Sequence, residues 1–166
     1  AEKYSHQLMV DGMQSANPTF LDNRHANTQV PKYIGFERIS EDDSTATRYA
    51  FAAENFWSDV ALNRTTCIGG NSVEEHFLSK GNSNRYIDWP DGPESCNTNN
   101  MLKLSELLAD RTHDARYADF YEYAMLNHIL STQDPRTGGY VYFTSLRPQG
   151  YRIYSQVNKA MWCCVG

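Results

Sequence analysis

Between residues 44 and 64 the apolar positions Tyr49, Ala52, Ala53, Phe56, Trp57 and Val60 recur at steps of three and four. Such a stripe has the period of a helix with one broad buried face, so a helix over 44–64 is predicted. Asp42, Asp43 and Ser44 ahead of it offer N-cap oxygens and first-turn negative charge. Val30, Ile34 and Phe36 predict an earlier helix over 27–39, in which Pro31 must fall in the first turn or kink the chain. Met101, Leu104 and Leu108 share one side of a third helix over 98–109. Tyr117, Tyr121, Ala124 and Ile129 do the same for a fourth over 114–130. The helices come as two pairs, each joined by a short polar connector.

The stretch 67–97 breaks this rhythm, being rich in Gly, Asn, Ser and Pro. A loop of ~30 residues inside a compact domain is usually functional. After Gly138-Gly139 the pattern becomes that of short strands, 140–143 and 151–154, around a turn at Pro148-Gln149-Gly150. The expected fold is therefore mainly α, helix pairs with functional loops and a short antiparallel β-element near the C-terminus.

Composition narrows the picture by exclusion. The 166 residues carry 15 Lys+Arg against 20 Asp+Glu, a formal charge of −5. That balance does not supply the clustered basic surface that nucleic acid or an anionic membrane demands. Hydrophobic residues at 40% and charged residues at 21% exclude a disordered tail. No apolar run approaches the ~20 residues of a membrane span, and residues 1–11 lack the cationic start and apolar core of a signal peptide. Aromatics reach 13%; a sugar-binding surface and a well-packed core account for that surplus equally well.

The chemistry gathers at Cys67, Cys96, Cys163 and Cys164. Four cysteines allow two disulfides, although a bond between the neighbours Cys163 and Cys164 demands a strained ring. They also allow thiolate ligation, with Glu94 two residues before Cys96 as a fourth donor for a tetrahedral zinc site. Glu-x-Cys with a distant Cys-Cys is no standard finger, so spacing alone leaves both readings open. Ser72-x-x-Glu75 has the form of a capping box, a plain helix start. His76 and His128 have no partner spaced to make them ligands.

Several stretches together resemble one family. They are His25-Ala26-Asn27-Thr28-Gln29-Val30-Pro31-Lys32, Gly69-Gly70-Asn71-Ser72-Val73-Glu74-Glu75-His76-Phe77, Glu94-Ser95-Cys96-Asn97-Thr98-Asn99-Asn100-Met101-Leu102-Lys103-Leu104 and Trp162-Cys163-Cys164-Val165-Gly166. In this order they resemble the β-L-arabinofuranosidase superfamily, glycoside hydrolase family 127 and its relative family 146. The resemblance covers nearly the whole chain. It implies that residues 1–166 are part of an (α/α)6-barrel catalytic domain, truncated at both ends. The remainder of that domain, with accessory β-domains, would then be missing from this chain.

The resemblance also implies roles. Glu94, Cys96, Cys163 and Cys164 would hold Zn2+, Cys163 would be the nucleophile and Glu75 the general acid/base, with Cys67 left out. His25 and Tyr142 would bind the sugar. The implied activity is a retaining glycosidase releasing L-arabinofuranose from an arabinose-containing oligo- or polysaccharide, with neither nucleic acid nor membrane as partner. The alternative is a non-catalytic zinc-stapled segment, carbohydrate-binding or structural. The resemblance favours a periplasmic or extracellular setting and leaves a cytoplasmic one open. A half-barrel exposes apolar surface that its missing helices would bury, so the chain by itself is expected to be marginally stable and inactive.

Overall fold

Six α-helices carry the core among the residues that the computed structural model describes, which are 2–15, 17–156, 158–159 and 161–165. Gly166, the last residue of the thiol-bearing stretch, lies outside them. The stripe predicted over 44–64 forms helix α3, Thr47–Asn63, and all six of its apolar positions are buried. It starts later than expected because Asp43 closes the preceding turn, its carboxylate accepting from the Thr45 amide at 2.9 Å.

Helix α2, Ala26–Asp42, starts near its expected place, but Pro31 lies in its second turn rather than its first. The helix continues past the ring, and the Asn27 carbonyl loses its helical partner. Helix α5, Ser95–Thr112, begins ahead of the expected 98, which puts Cys96 inside its first turn. Helix α6, Ala115–Ala124, stops short of the expected 130, because the backbone widens into a π-turn over Met125–Ile129 and closes on a 3-10 turn, Leu130–Thr132. Within α6 the buried face is Tyr117, Phe120 and Ala124, which leaves Tyr121 37% exposed, and the widened register beyond it buries His128 completely. Two helices had no legible stripe: α1, Gln7–Gln14, which buries Met9, Val10 and Met13, and the single turn α4, Arg85–Asp88.

Helix α2 packs on α3 and α5, α5 on α6, and α1 on α3. The rings of Tyr33 and Phe56 stack at 3.8 Å, and Trp57 meets Tyr117 edge-on at 4.5 Å. The Trp57 indole N–H donates to Ser105 Oγ at 2.8 Å, so its polar edge is satisfied inside the core. Glu37 is fully buried and is met by Arg111, whose guanidinium also holds Glu54 at 2.6 Å, tying α2, α3 and α5 together.

The expected β-element is not formed. Among the described residues there is no strand, only isolated antiparallel bridges such as Val141 with Tyr154 and Glu94 with Phe143. The backbone of 141–144 gives its hydrogen bonds elsewhere. The Tyr142 carbonyl accepts from the Ser95 N–H at 3.2 Å, and the Thr144 N–H donates to the Pro93 carbonyl at 2.9 Å. Those bonds fasten the segment to the entrance of α5, where a hairpin ladder would have fastened it to 151–154.

Candidate active site and metal centre

Glu75 sits at the tip of a tight turn. Val73 and His76 exchange both main-chain hydrogen bonds at 3.0 Å, and the two residues between them, Glu74 and Glu75, have φ of 46° and 66°. Turns of this hand normally take Asn or Gly at those positions, and a bulkier residue costs about 1–2 kcal/mol each. No helix starts at Ser72, whose buried Oγ has no hydrogen-bond partner, so the capping box is not realised. The turn is fixed to α2 by the Ala26 N–H donating to the Glu75 carbonyl at 2.7 Å.

Both oxygens of the Glu75 side chain meet donors. Tyr142 donates its hydroxyl to Oε1, and His25 Nε2 lies 3.4 Å from Oε2. His25 is the N-cap of α2, and its Nδ1 accepts from the Thr28 amide at 3.3 Å. A neutral His25 ring therefore carries its proton on Nε2, facing the carboxylate. Burial, the hydrogen bond to Glu75 and the charges at Glu94 and Cys163 all push the Tyr142 hydroxyl up, so it stays a proton donor. The turn thus brings together Glu75, His25 and Tyr142, which stand far apart in sequence.

The second cluster forms where the start of α5 meets the segment at 161–165. Ligand atoms of Glu94, Cys96, Cys163 and Cys164 all lie within 4.8 Å of one another. Glu94 Oε1 is 2.5 Å from Cys96 Sγ, 3.6 Å from Cys163 Sγ and 3.9 Å from Cys164 Sγ. The sulfurs of Cys96 and Cys163 are 3.2 Å apart and those of Cys163 and Cys164 3.7 Å, too far for the ~2.05 Å of a disulfide. All four cysteines are free, which removes the disulfide alternative. Cys67 is exposed and outside the cluster.

The donor set fits zinc. Three soft sulfurs and one carboxylate are a complete tetrahedral shell for Zn2+. Glu94 is 1% exposed, and its Oε2 is buried with no hydrogen-bond partner, a costly state that a neighbouring cation relieves. The titrations of the thiols are pulled apart. The hydrogen bond from Cys96 lowers Cys164 to about 6. The same contact, burial and the charge of Glu94 raise Cys96, while burial and the adjoining anionic groups raise Cys163. Protons shared in this way mark a site crowded with negative charge, and metal ligation removes them.

Three residues here were not assigned from sequence. Asn27 donates its Nδ2 to Cys96 Sγ at 3.1 Å, and Asn100 donates to Asn27 Oδ1 at 2.8 Å. Both stand in the quoted stretches, and poor helix formers in the first turn of α2 and the second turn of α5 were the available signal. His128 lies behind the site and joins Thr98 of α5, at 2.9 Å, to Thr144, at 3.1 Å. Its sequence neighbourhood carries no signal, because only the π-turn aims it inward. A cleft of about 470 Å³ opens beside Tyr142 and Trp162, and one of about 180 Å³ lies against the three clustered thiols.

Comparison with known proteins bears on the family and the fold. The profile of the β-L-arabinofuranosidase GH127 catalytic domain matches residues 1–166. A GH127 β-L-arabinofuranosidase from Geobacillus stearothermophilus superposes with a TM-score of 0.64 at 16% identity, over 81% of this chain and 20% of that one. A further GH127 β-arabinofuranosidase superposes with a TM-score of 0.63 at 18% identity, over 83% of this chain and 24% of that one. A protein described as a glycoside hydrolase gives 0.65 at 16% identity, over 84% and 27%. The chain therefore spans between a fifth and about a quarter of these structures, and at such identities they show a shared, mainly helical fold. No curated protein sequence matches.

Proposed function

The chain belongs to the β-L-arabinofuranosidase GH127 family, and on that premise we propose that it carries the reacting groups of a retaining glycosidase that releases L-arabinofuranose from glycans. One observation supports this above the rest: Glu94, Cys96, Cys163 and Cys164 converge within 4.8 Å although Cys96 and Cys163 stand 67 residues apart. Glu94, Cys96, Cys163 and Cys164 would hold zinc, which would keep the thiols deprotonated at neutral pH and so make a protein sulfur rather than a water the activated group. Helix pairs outside this chain complete an (α/α)6 barrel and the remaining contacts to the glycan.

The sulfur of Cys163 attacks the anomeric carbon, forming a C–S bond as the glycosidic C–O bond breaks. Glu75 gives its proton to the departing oxygen. Water then attacks the same carbon and loses its proton to Glu75, and sulfur leaves as thiolate. Two displacements give net retention, the two-carboxylate logic with sulfur in place of one carboxylate. Tyr142, bonded to Oε1, fixes the plane of the Glu75 carboxyl, and Oε2 beside His25 is the oxygen that exchanges the proton. His25 and Tyr142 then contact sugar hydroxyls from the same wall.

Turnover of an aryl β-L-arabinofuranoside by the full-length protein tests this, together with zinc analysis. Cys163→Ser and Glu75→Gln are each expected to lower kcat by about 10³-fold or more. Unchanged turnover in either variant overturns the role given to that residue. Stoichiometric zinc with no hydrolysis in the unmodified protein favours the non-catalytic, zinc-stapled reading.

A further inference from the structure

Zinc gives all three thiolates the same stabilisation and does not itself choose which one reacts. The sulfurs differ in the donors around them. Cys96 Sγ accepts from Asn27 Nδ2 at 3.1 Å, and that amide is held in orientation because its Oδ1 accepts from Asn100 at 2.8 Å. The Ser95 hydroxyl beside the cluster donates to the Val141 carbonyl at 3.2 Å. Among the described residues Cys163 meets only Glu94, Cys96 and Cys164, none of which offers it an N–H or O–H donor. A donor on a thiolate draws charge from the sulfur lone pair and lowers its nucleophilicity, and does so more strongly in a partly buried site.

We propose that the Asn100–Asn27 amide relay quenches the Cys96 sulfur, so that Cys163, which no such donor meets, reacts ahead of it. The inference rests on the zinc-bound nucleophile proposed above and adds how the site selects among chemically equal ligands. Asn27 and Asn100 are positioning residues in this scheme. Neither touches the sugar; one tunes a sulfur and the other aims the first.

The zinc-loaded full-length protein is treated with iodoacetamide, and labelling is mapped cysteine by cysteine by mass spectrometry. Each event forms an S–C bond and releases iodide. Label is expected at Cys163 ahead of Cys96. Asn27→Leu, close in volume but without a donor, is expected to raise the Cys96-to-Cys163 labelling ratio about tenfold, the worth of one hydrogen bond to a charged acceptor. Asn100→Leu raises it less. After cobalt substitution the sulfur-to-metal charge-transfer band of Asn27→Leu moves to longer wavelength, because an unquenched sulfur gives up charge more easily. An unchanged ratio and band with metal retained overturns the proposal, as does labelling of Cys96 ahead of Cys163. Should Asn27→Leu lose its metal, Asn100→Leu, which touches no sulfur, decides by the same two readouts. Neither readout needs turnover, so a protein that shows the selectivity but no hydrolysis refutes only the enzymatic reading, and one that binds no zinc refutes both.

Discussion

The two halves of the site are built on opposite principles. Around Glu75 each acceptor oxygen faces a donor, and the turn that carries it is fastened to α2 by main-chain hydrogen bonds. Around Glu94 one buried oxygen is orphaned and three sulfurs crowd the other. The first half is satisfied by protein atoms alone; the second is a donor set that could hold a cation. A carboxyl that is to exchange a proton must be held in one orientation, which hydrogen bonds do well. A thiolate must be kept charged without being smothered by donors, which a metal does better.

The largest test of this contrast is removal of zinc. A closed zinc shell contributes on the order of 10 kcal/mol of binding free energy to the structure it staples. Hydrogen exchange in the chelated protein should accelerate strongly at 161–165 and at the Ser95 and Cys96 amides, while the Ala26 amide bonded to Glu75 keeps its protection. Equal loosening of both halves breaks the comparison.

A smaller effect sharpens it from below. His128 supports both halves, through Thr98 on α5 and Thr144 beside Tyr142. Burial, then the charge of Arg152, lowers its pKa from 6.5 to about 4. The folded state therefore favours the neutral ring, and the unfolded state takes up a proton first as pH falls. That stability is fully present above pH 6.5 and is lost as pH falls toward about 4, an effect of about 3 kcal/mol. Urea unfolding of zinc-free protein beside His128→Gln should show this segment of the pH dependence in the first and its absence in the second.

The smallest effect is expected of Tyr142→Phe. It deletes one donor to Glu75 and leaves the sulfur half untouched, so turnover should fall about fivefold to tenfold with zinc content unchanged. Loss of metal in that variant would mean that the halves are not separate.

The helices and the reacting groups were legible in different ways. The stripe of α3 could be read from period alone because all six of its positions face one core. The strands at 140–143 and 151–154 were misread because alternation says which residues suit an extended chain and not which backbone they will bond. Here the partner is the loop at 93–95. Glu94, Cys96, Cys163 and Cys164 came from motif resemblance, and their spacing alone left disulfides open. Ser72-x-x-Glu75 has the wording of a helix cap, yet positive φ at both ends of the motif excludes a helix start. Asn27 and His128 stayed hidden because their roles depend on which helix entrance and which turn of backbone face them.

One short stretch of chain serves both halves at once. His25 caps α2 and reaches Glu75, and Asn27, two residues on, reaches Cys96. Around a helix entrance two residues correspond to a swing of roughly 200° and a rise of about 3 Å. From one helix entrance the two side chains therefore reach different partners, the carboxylate of Glu75 and the sulfur of Cys96. The spacing of those two partners is thus tied to peptide geometry, the least adjustable ruler a protein has. A one-residue insertion or deletion between positions 25 and 27 would not shift that spacing by degrees; it would swing one side chain by roughly 100° and take it off its partner.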